Sequence, residues 1–119
     1  GVEFVITQPV FDAERLHSFL ERVPELSVPI IASLRPLTSL REAEFLHNEI
    51  PGIQIPDRVL ARIANAEAHG EDAARAEGVS IAMEAFAAVR DSIAGVHIHV
   101  ADGNLDGALE LLSEIRDSA

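Results

Sequence analysis

The chain has 119 residues, of which 20 are acidic and 9 are basic, and its formal net charge is -11. Nucleic acids and anionic membrane surfaces would both repel this charge, so neither is expected as a partner. Apolar residues make up 48% of the sequence, which excludes a disordered chain, and the absence of cysteine excludes disulfides, thiolate zinc sites and a cysteine nucleophile.

Three short apolar runs predict β-strands, and the segments between them predict helices. The runs are rich in β-branched residues, which is typical of a parallel sheet that is buried on both faces. The predicted strands are Phe4–Thr7, Val28–Ala32 and Gly95–Val100, and Pro9 is expected to end the first. No apolar run approaches the roughly 20 residues of a membrane span, and a cytoplasmic location is expected.

Capping residues mark the helices in chain order. The first helix is expected to begin at Asp12, whose carboxylate can cap it, and to end at Pro24. After the second strand, Ser39 and Glu42 match a capping box and predict a helix through about Asn48. Each of these helices is expected to pack an apolar face against the sheet.

Three more helices are predicted in the second half of the chain. Pro56 suits the first position of a helix that Gly70 ends, and an Ala-rich helix follows from about Glu71 to Ile93. Asn104 is expected to cap the last helix. The apolar face of that helix is predicted to carry Leu105, Ala108, Leu109, Leu112 and Ile115.

The resulting order, β-α-β-α-α-α-β-α, predicts an α/β fold with parallel strands and right-handed crossovers. Three strands alone leave two open sheet edges and apolar surface on both faces. A complete (β/α)₈ barrel needs about 250 residues, so the chain is expected to form about half of one. The sequence also enters its first strand directly from Gly1 and lacks an initial Met, as expected for a piece of a longer protein.

Function in parallel α/β folds gathers where the strands end. Gln8 offers a neutral amide that suits an amide or a pteridine edge, or it satisfies backbone groups at the strand end. Arg35 can meet a phosphate or carboxylate, or pair with an acidic side chain. His97 and His99 share one face of their strand and can hold a metal with further ligands, or be partly buried and hydrogen-bonded.

Five segments, in order along the chain, resemble 5,10-methylenetetrahydrofolate reductases. The residues of these segments are most similar to those of bacterial family members, including members fused to a homocysteine methyltransferase domain. The segments are Phe4–Asp12, which matches I-T-Q-x-x-F-D, then Pro29–Leu37, Ser39–Pro56, Gly78–Ala82 with the pattern G-x-x-I-A, and Gly95–Ile98.

The resemblance implies that residues 1–119 are one partial domain, the C-terminal part (strands 6–8 and their helices) of a (β/α)₈ TIM barrel. It implies FAD as cofactor, NAD(P)H as reductant and reduction of a folate, 5,10-methylenetetrahydrofolate, to 5-methyltetrahydrofolate. The family's general acid and most of its flavin contacts come from earlier strands. The chain by itself is therefore expected to be inactive, and either to pair with the missing half-barrel or to form a homo-oligomer.

Three residues are predicted to bind substrate through this resemblance. Gln8 matches the family glutamine that contacts folate and the nicotinamide. Glu42 and Leu46, one turn apart on a helix, occupy positions where the family often has Gln and Phe, so both depart from the pattern. No catalytic or metal-binding residue is assigned. Two alternatives stay open: a self-associating half-barrel without catalysis, and a metal-dependent barrel hydrolase that uses His97 and His99.

Overall fold

A computed structural model describes residues 4–22, 28–101 and 103–118 of the chain. The predicted end of the first helix at Pro24 lies outside the described residues. Within them the predicted order of strands and helices is confirmed. The elements are β1 (Val5–Pro9), α1 (Ala13–Arg22), β2 (Ile30–Leu34), α2 (Leu40–Glu49), α3 (Asp57–Glu67), α4 (Glu71–Val89), β3 (Gly95–Ile98) and α5 (Leu105–Asp117).

The sheet has the order β1-β2-β3, and both strand pairs are parallel. Parallel neighbours joined through helices are the arrangement expected of part of a TIM barrel, so the predicted fold class is confirmed. The pairing of β1 with β2 is irregular, because Ile6 faces Ile31 whereas Pro9 faces Ser33. Two residues of β1 therefore lie opposite one residue of β2, which is a β-bulge.

The strand bounds differ from the predictions by a few residues. β1 runs from Val5 to Pro9, so it extends beyond Thr7, and Pro9 ends the strand as predicted. β2 was expected to end at Ala32 and extends to Leu34. β3 ends at Ile98, although the His99 backbone N–H still donates to the Leu34 carbonyl at 2.8 Å. Hydrogen bonding between β2 and the chain after β3 therefore continues one residue beyond the end of β3.

Two helix ends also differ. Pro56 precedes α3 as its cap residue instead of being its first residue. The Ala-rich helix α4 ends at Val89 and continues only as a 3₁₀ turn, Arg90–Ser92, so the prediction that it extends to Ile93 is wrong. A tighter last turn of this kind is common at helix ends. In the described part of the chain, no helix is long and apolar enough to cross a membrane.

The hydrophobic core consists of two clusters. One joins α2, α3 and the loop between them to Phe11, and the other packs β2 against α4 and α5. The first cluster contains Phe11, Leu37, Ala43, Leu46, Ile53, Ile55, Val59, Ile63 and Ile81. The second contains Val10, Ala32, Leu34, Val79, Ala82, Ala85, Phe86 and Leu111. Together they fix the helices around the polar ends of the strands.

Helix α4 touches the backbone that follows β2, and Gly78 makes this contact. A Cβ atom at Gly78 would lie 1.9 Å from the Leu37 carbonyl oxygen, so a larger residue does not fit there. The glycine of the G-x-x-I-A pattern therefore has a packing reason. It lets α4 approach the segment that leads from β2 into α2.

The last helix differs most from its prediction. Asn104 occupies the cap position, but its side chain makes no cap hydrogen bond. Instead its Nδ2 donates to the Pro36 carbonyl at 3.4 Å, and the residue is 2% exposed. Three residues that were predicted to pack inward, Leu105, Leu109 and Leu112, are exposed. The helix packs through Ala108 and Leu111 because it is rotated relative to the predicted face.

Candidate functional site

Gln8 lies within the β1 bulge and is exposed to solvent. Thr7 Oγ1 accepts a hydrogen bond from the Ser33 backbone N–H at 3.0 Å and donates to the Gln8 carbonyl at 2.8 Å. The Thr7 hydroxyl thus takes the place of a backbone partner at the bulge. Burial alternates along β1, so Gln8 lies on the same exposed face as Ile6.

An open cleft with a volume of about 350 Å³ lies beside Gln8. β1, the start of α1 and the loop between α2 and α3 form its walls. Its polar side chains include an amide, a carboxylate and a guanidinium, and its apolar side chains include two aromatic rings. These residues are Gln8, Asp12, Arg15 and Gln54, with Ile6, Phe11, Leu16 and Phe19. Such a mixture suits a planar ligand with hydrogen-bonding edges.

Gly52 forms the wall of the cleft nearest to the amide. Its φ of 88° lies in the left-handed region, which glycine adopts without strain. A Cβ atom on Gly52 would lie 3.7 Å from Gln8 Nε2, and Arg15 Nη1 donates to the Gly52 carbonyl at 3.3 Å. The sequence indicates a turn at Pro51–Gly52, but nothing in it indicates that the turn lies against Gln8.

Glu42 is bound by its own neighbours. Its Oε2 lies 3.4 Å from Arg35 Nη2, and its Oε1 accepts a hydrogen bond from the Thr38 backbone N–H at 3.1 Å. Ser39 Oγ accepts from the Glu42 backbone N–H at 3.0 Å, which confirms the predicted cap of α2. The ion-pair interpretation of Arg35 is also confirmed. Glu42 therefore holds the beginning of α2 in place.

The structure does not bring the three predicted substrate-binding residues into one cleft. Gln8 lines the cleft, and Glu42 pairs with Arg35. Leu46 is 6% exposed and packs in the first core cluster. Its neighbour Phe45 is 56% exposed on the same helix. The contacts of Gln8, Glu42 and Leu46 with a substrate stay predictions.

His97 of β3 and His99, which follows the strand, lie close together. Their ring centroids are 4.8 Å apart. Burial lowers the pKa of His99, and the charges of His97 and Arg35 lower this pKa further. Within the described residues, no group of three or more His, Asp or Glu side chains is placed to hold a metal. A histidine pair alone falls short of the ligand set of a catalytic zinc site, so nothing in this part of the chain favours a metal-dependent hydrolase.

The family model for methylenetetrahydrofolate reductase matches residues 1–113 of the chain. No match is found among curated proteins. The matched range includes β1, the bulge and Gln8, the cap of α2, the Gly78 contact and all of β3. The resemblance in the five motifs and the parallel α/β architecture agree with this match. The chain belongs to the methylenetetrahydrofolate reductase family.

Proposed function

We propose that the chain is the substrate-facing C-terminal part of a reductase barrel. The complete barrel converts 5,10-methylenetetrahydrofolate to 5-methyltetrahydrofolate with NAD(P)H and FAD. The observation that carries this proposal is the position of Gln8, an exposed amide in a cleft where β1 ends. This is the edge of a parallel sheet at which ligands bind. The family match over residues 1–113 supports the choice of reaction.

In this proposal Gln8 recognises the folate ring. Its amide has two donors and one acceptor, which complement the donor and acceptor edge of a pteridine. The exposed side chains of Ile6 and Phe19 offer an apolar surface in the same cleft. The Gly52 turn lies against the Gln8 amide. The role of these residues is to bind and orient the substrate, while the flavin supplies the hydride chemistry.

The described residues around this cleft do not fit the pyrophosphate of FAD. Helix N-termini are common sites for such anions, but carboxylates already lie at both nearby ones. Asp12 Oδ1 accepts from the Glu14 backbone N–H at 2.9 Å at the start of α1. At the start of α2, Glu42 accepts from the Thr38 backbone N–H. The chain alone is therefore expected neither to hold FAD nor to oxidise NAD(P)H.

The test joins this chain to the preceding half of a barrel from the same family. The joined polypeptide is expected to show flavin absorption and to oxidise NADH when methylenetetrahydrofolate is present. Gln8→Ala is expected to raise KM for the folate by about tenfold, because a lost ligand hydrogen bond is worth roughly 1 kcal/mol or more. Asn65→Ala removes an exposed amide on α3 and is the matched control.

A colourless, inactive joined polypeptide would contradict the assignment of the reaction. Equal KM values for Gln8→Ala and Asn65→Ala would contradict the role of Gln8 while leaving the reaction intact. The two failures are therefore distinguishable.

A second candidate function is a self-associating structural module. It is favoured by two exposed apolar side chains, Phe4 just before β1 and Ile6 within it, each 52% exposed. Light scattering is expected to show a multimer in this case, and its apolar faces would be protected from hydrophobic dyes. A monomer that binds no apolar dye would rule this candidate out.

A further inference from the structure

The cleft beside Gln8 contains a guanidinium that no carboxylate of the described residues neutralises. Arg15 lines the cleft, and its Nη1 donates to the Gly52 carbonyl at 3.3 Å. The ion pairs that form among residues 4–22, 28–101 and 103–118 do not include Arg15. Its Nε and Nη2 remain, and these two groups form a planar edge that can bind a carboxylate through two parallel hydrogen bonds.

The carboxylate that lines the same cleft, Asp12, has other partners. Its Oδ1 accepts a hydrogen bond from the Glu14 backbone N–H at 2.9 Å and lies 3.6 Å from Arg58 Nη2. Asp12 and Arg15 are only three residues apart, yet Arg15 contacts the loop after α2 instead. Because Arg58 offsets the charge of Asp12, the charge of Arg15 makes this cleft locally positive in a chain of net charge -11.

The stability of α1 does not account for the position of Arg15. Arg15 is the third residue of this helix, and cations stabilise the C-terminal turn of a helix, not the N-terminal turn. The contact with Gly52 instead holds the guanidinium on the turn that lies against Gln8, where a Cβ atom on Gly52 would be 3.7 Å from Gln8 Nε2. The amide and the guanidinium therefore flank one loop residue at the ligand end of the sheet.

We propose that Arg15 binds a carboxylate of the substrate and makes the cleft selective for folates that carry their glutamate tail. This rests on the proposed function, in which Gln8 recognises the folate ring. A guanidinium matches a carboxylate in shape as well as in charge. The exposed ring of Phe19 lies one turn after Arg15 on α1 and lines the same cleft. It offers a surface for the aminobenzoyl ring, which joins the folate ring to the glutamate.

The experiment titrates the 119-residue chain with p-aminobenzoyl-glutamate, which is the folate tail without its pteridine, and follows binding by heteronuclear NMR. The uncharged diamide of the same molecule is expected to bind more weakly. Arg15→Gln is expected to weaken binding of the tail by at least about tenfold, because it removes charge-assisted hydrogen bonds. Arg75→Gln removes an exposed arginine of α4 and is the matched control, expected to leave binding unchanged.

The joined polypeptide supplies a second measurement. There Arg15→Gln is expected to raise KM for the folate by about tenfold and to leave KM for NADH unchanged. A general loss of structure would raise both values, and this result would overturn the proposal.

Three results with the 119-residue chain would also overturn it. They are the absence of tail binding, equal affinity for the tail and its diamide, and an equal loss in Arg15→Gln and Arg75→Gln. Inorganic phosphate is titrated as well, since the phosphates of the nicotinamide or flavin cofactor are the other anions in this reaction. Binding of phosphate at Arg15 as tight as that of the tail would show that the cleft does not select a carboxylate. A joined polypeptide that binds the tail through Arg15 but has no flavin and no NADH oxidation would contradict the proposed reaction alone.

Discussion

The Thr7 side-chain hydroxyl accepts a hydrogen bond from the Ser33 backbone N–H at 3.0 Å, across the bulge between β1 and β2. In a regular parallel ladder, a backbone carbonyl of the neighbouring strand would accept from this N–H. Ser33 is fully buried, so water does not replace a lost partner. The threonine side chain therefore stabilises the irregular pairing of β1 with β2 next to Gln8.

Replacing this hydroxyl is expected to destabilise the fold. Thr7→Val keeps the shape of the side chain but leaves the Ser33 N–H without its partner. The free energy of unfolding is expected to fall by about 1–3 kcal/mol, the range for an unsatisfied buried donor. Urea unfolding followed by circular dichroism measures this change. Thr7→Ser keeps the hydroxyl and is the control, so equal losses for the two variants would argue against the hydrogen bond.

Gly78→Ala is expected to force α4 away from the segment after β2. The new Cβ would lie 1.9 Å from the Leu37 carbonyl oxygen, and backbone atoms cannot yield as a side chain can. The expected loss of unfolding free energy is at least about 1–3 kcal/mol, as for other overpacked sites. Thermal unfolding measures it. Ser80→Ala on the exposed side of α4 is the control, and no loss beyond that control would disprove the close contact.

Arg62 links two carboxylates of α4 to α3, and its Nη2 donates to Glu84 Oε2 at 2.7 Å. The hydrogen bond from Arg62 is the main cause that lowers the pKa of Glu84 below 4.5. The contribution of Glu84 to stability is thus present above pH 4.5 and is lost as the pH falls below it. A double-mutant cycle with Arg62→Met and Glu84→Gln is expected to give a coupling energy of about 0.5–1 kcal/mol at neutral pH.

The same cycle under acidic conditions provides the check on this pair. The coupling energy is expected to shrink there, because protonated Glu84 no longer attracts the guanidinium. A coupling energy that stays constant as the pH falls would show that the two residues interact through packing instead.

The lowered pKa of His99 predicts that the free energy of unfolding also depends on pH in a range above that of Glu84. Its pKa is lowered from 6.5 in the folded chain, chiefly by burial, so the unfolded chain binds this proton more readily. The free energy of unfolding should therefore decrease as the pH falls below 6.5. His99→Gln is expected to flatten the stability profile in this range. His17→Gln on α1 is the control, and an identical flattening in both variants would exclude His99 as the cause.

A comparison of Gly52→Ala with Gly70→Ala distinguishes destabilisation by backbone strain from a direct effect on Gln8. Both Gly52 and Gly70 have φ in the left-handed region, at 88° and 115°. Alanine at either position is expected to lower the unfolding free energy by about 1–2 kcal/mol. In the joined polypeptide, only Gly52→Ala is expected to raise KM for the folate, because only Gly52 lies against Gln8. A KM that rises equally in both variants would show that general destabilisation is responsible.

The element order was predictable because each element has a local signal. β-branched runs marked the three strands, and Ser39 with Glu42 marked the start of α2. The strand ends were less predictable, since whether Leu34 belongs to β2 depends on its partners in the sheet. The rotation of α5 was not predictable either. Its leucines cover about half of the helix, and only the position of α4 decides which of them are buried.

The candidate site was predictable only in part. The end of β1 and the family motif both indicated Gln8. The contact between Gly52 and Gln8 could not be predicted, because the two residues are 44 positions apart in the sequence. It depends on where the loop after α2 lies. Leu46 was placed at the site by the family resemblance alone, and the sequence did not indicate that its side chain packs in the first core cluster. Its contact with a substrate stays a prediction.

The β1 bulge also constrains how this strand can change in length. Between the flanking pairs, β1 advances three residues while β2 advances two. Deleting one residue between Ile6 and Pro9 would restore even pairing without shifting the core residues on either side. The same deletion would remove either the threonine that satisfies Ser33 or the exposed amide. A relative that is one residue shorter between these positions is therefore expected to pair β1 with β2 without a bulge. It would lack either the threonine that bonds to Ser33 or the exposed amide.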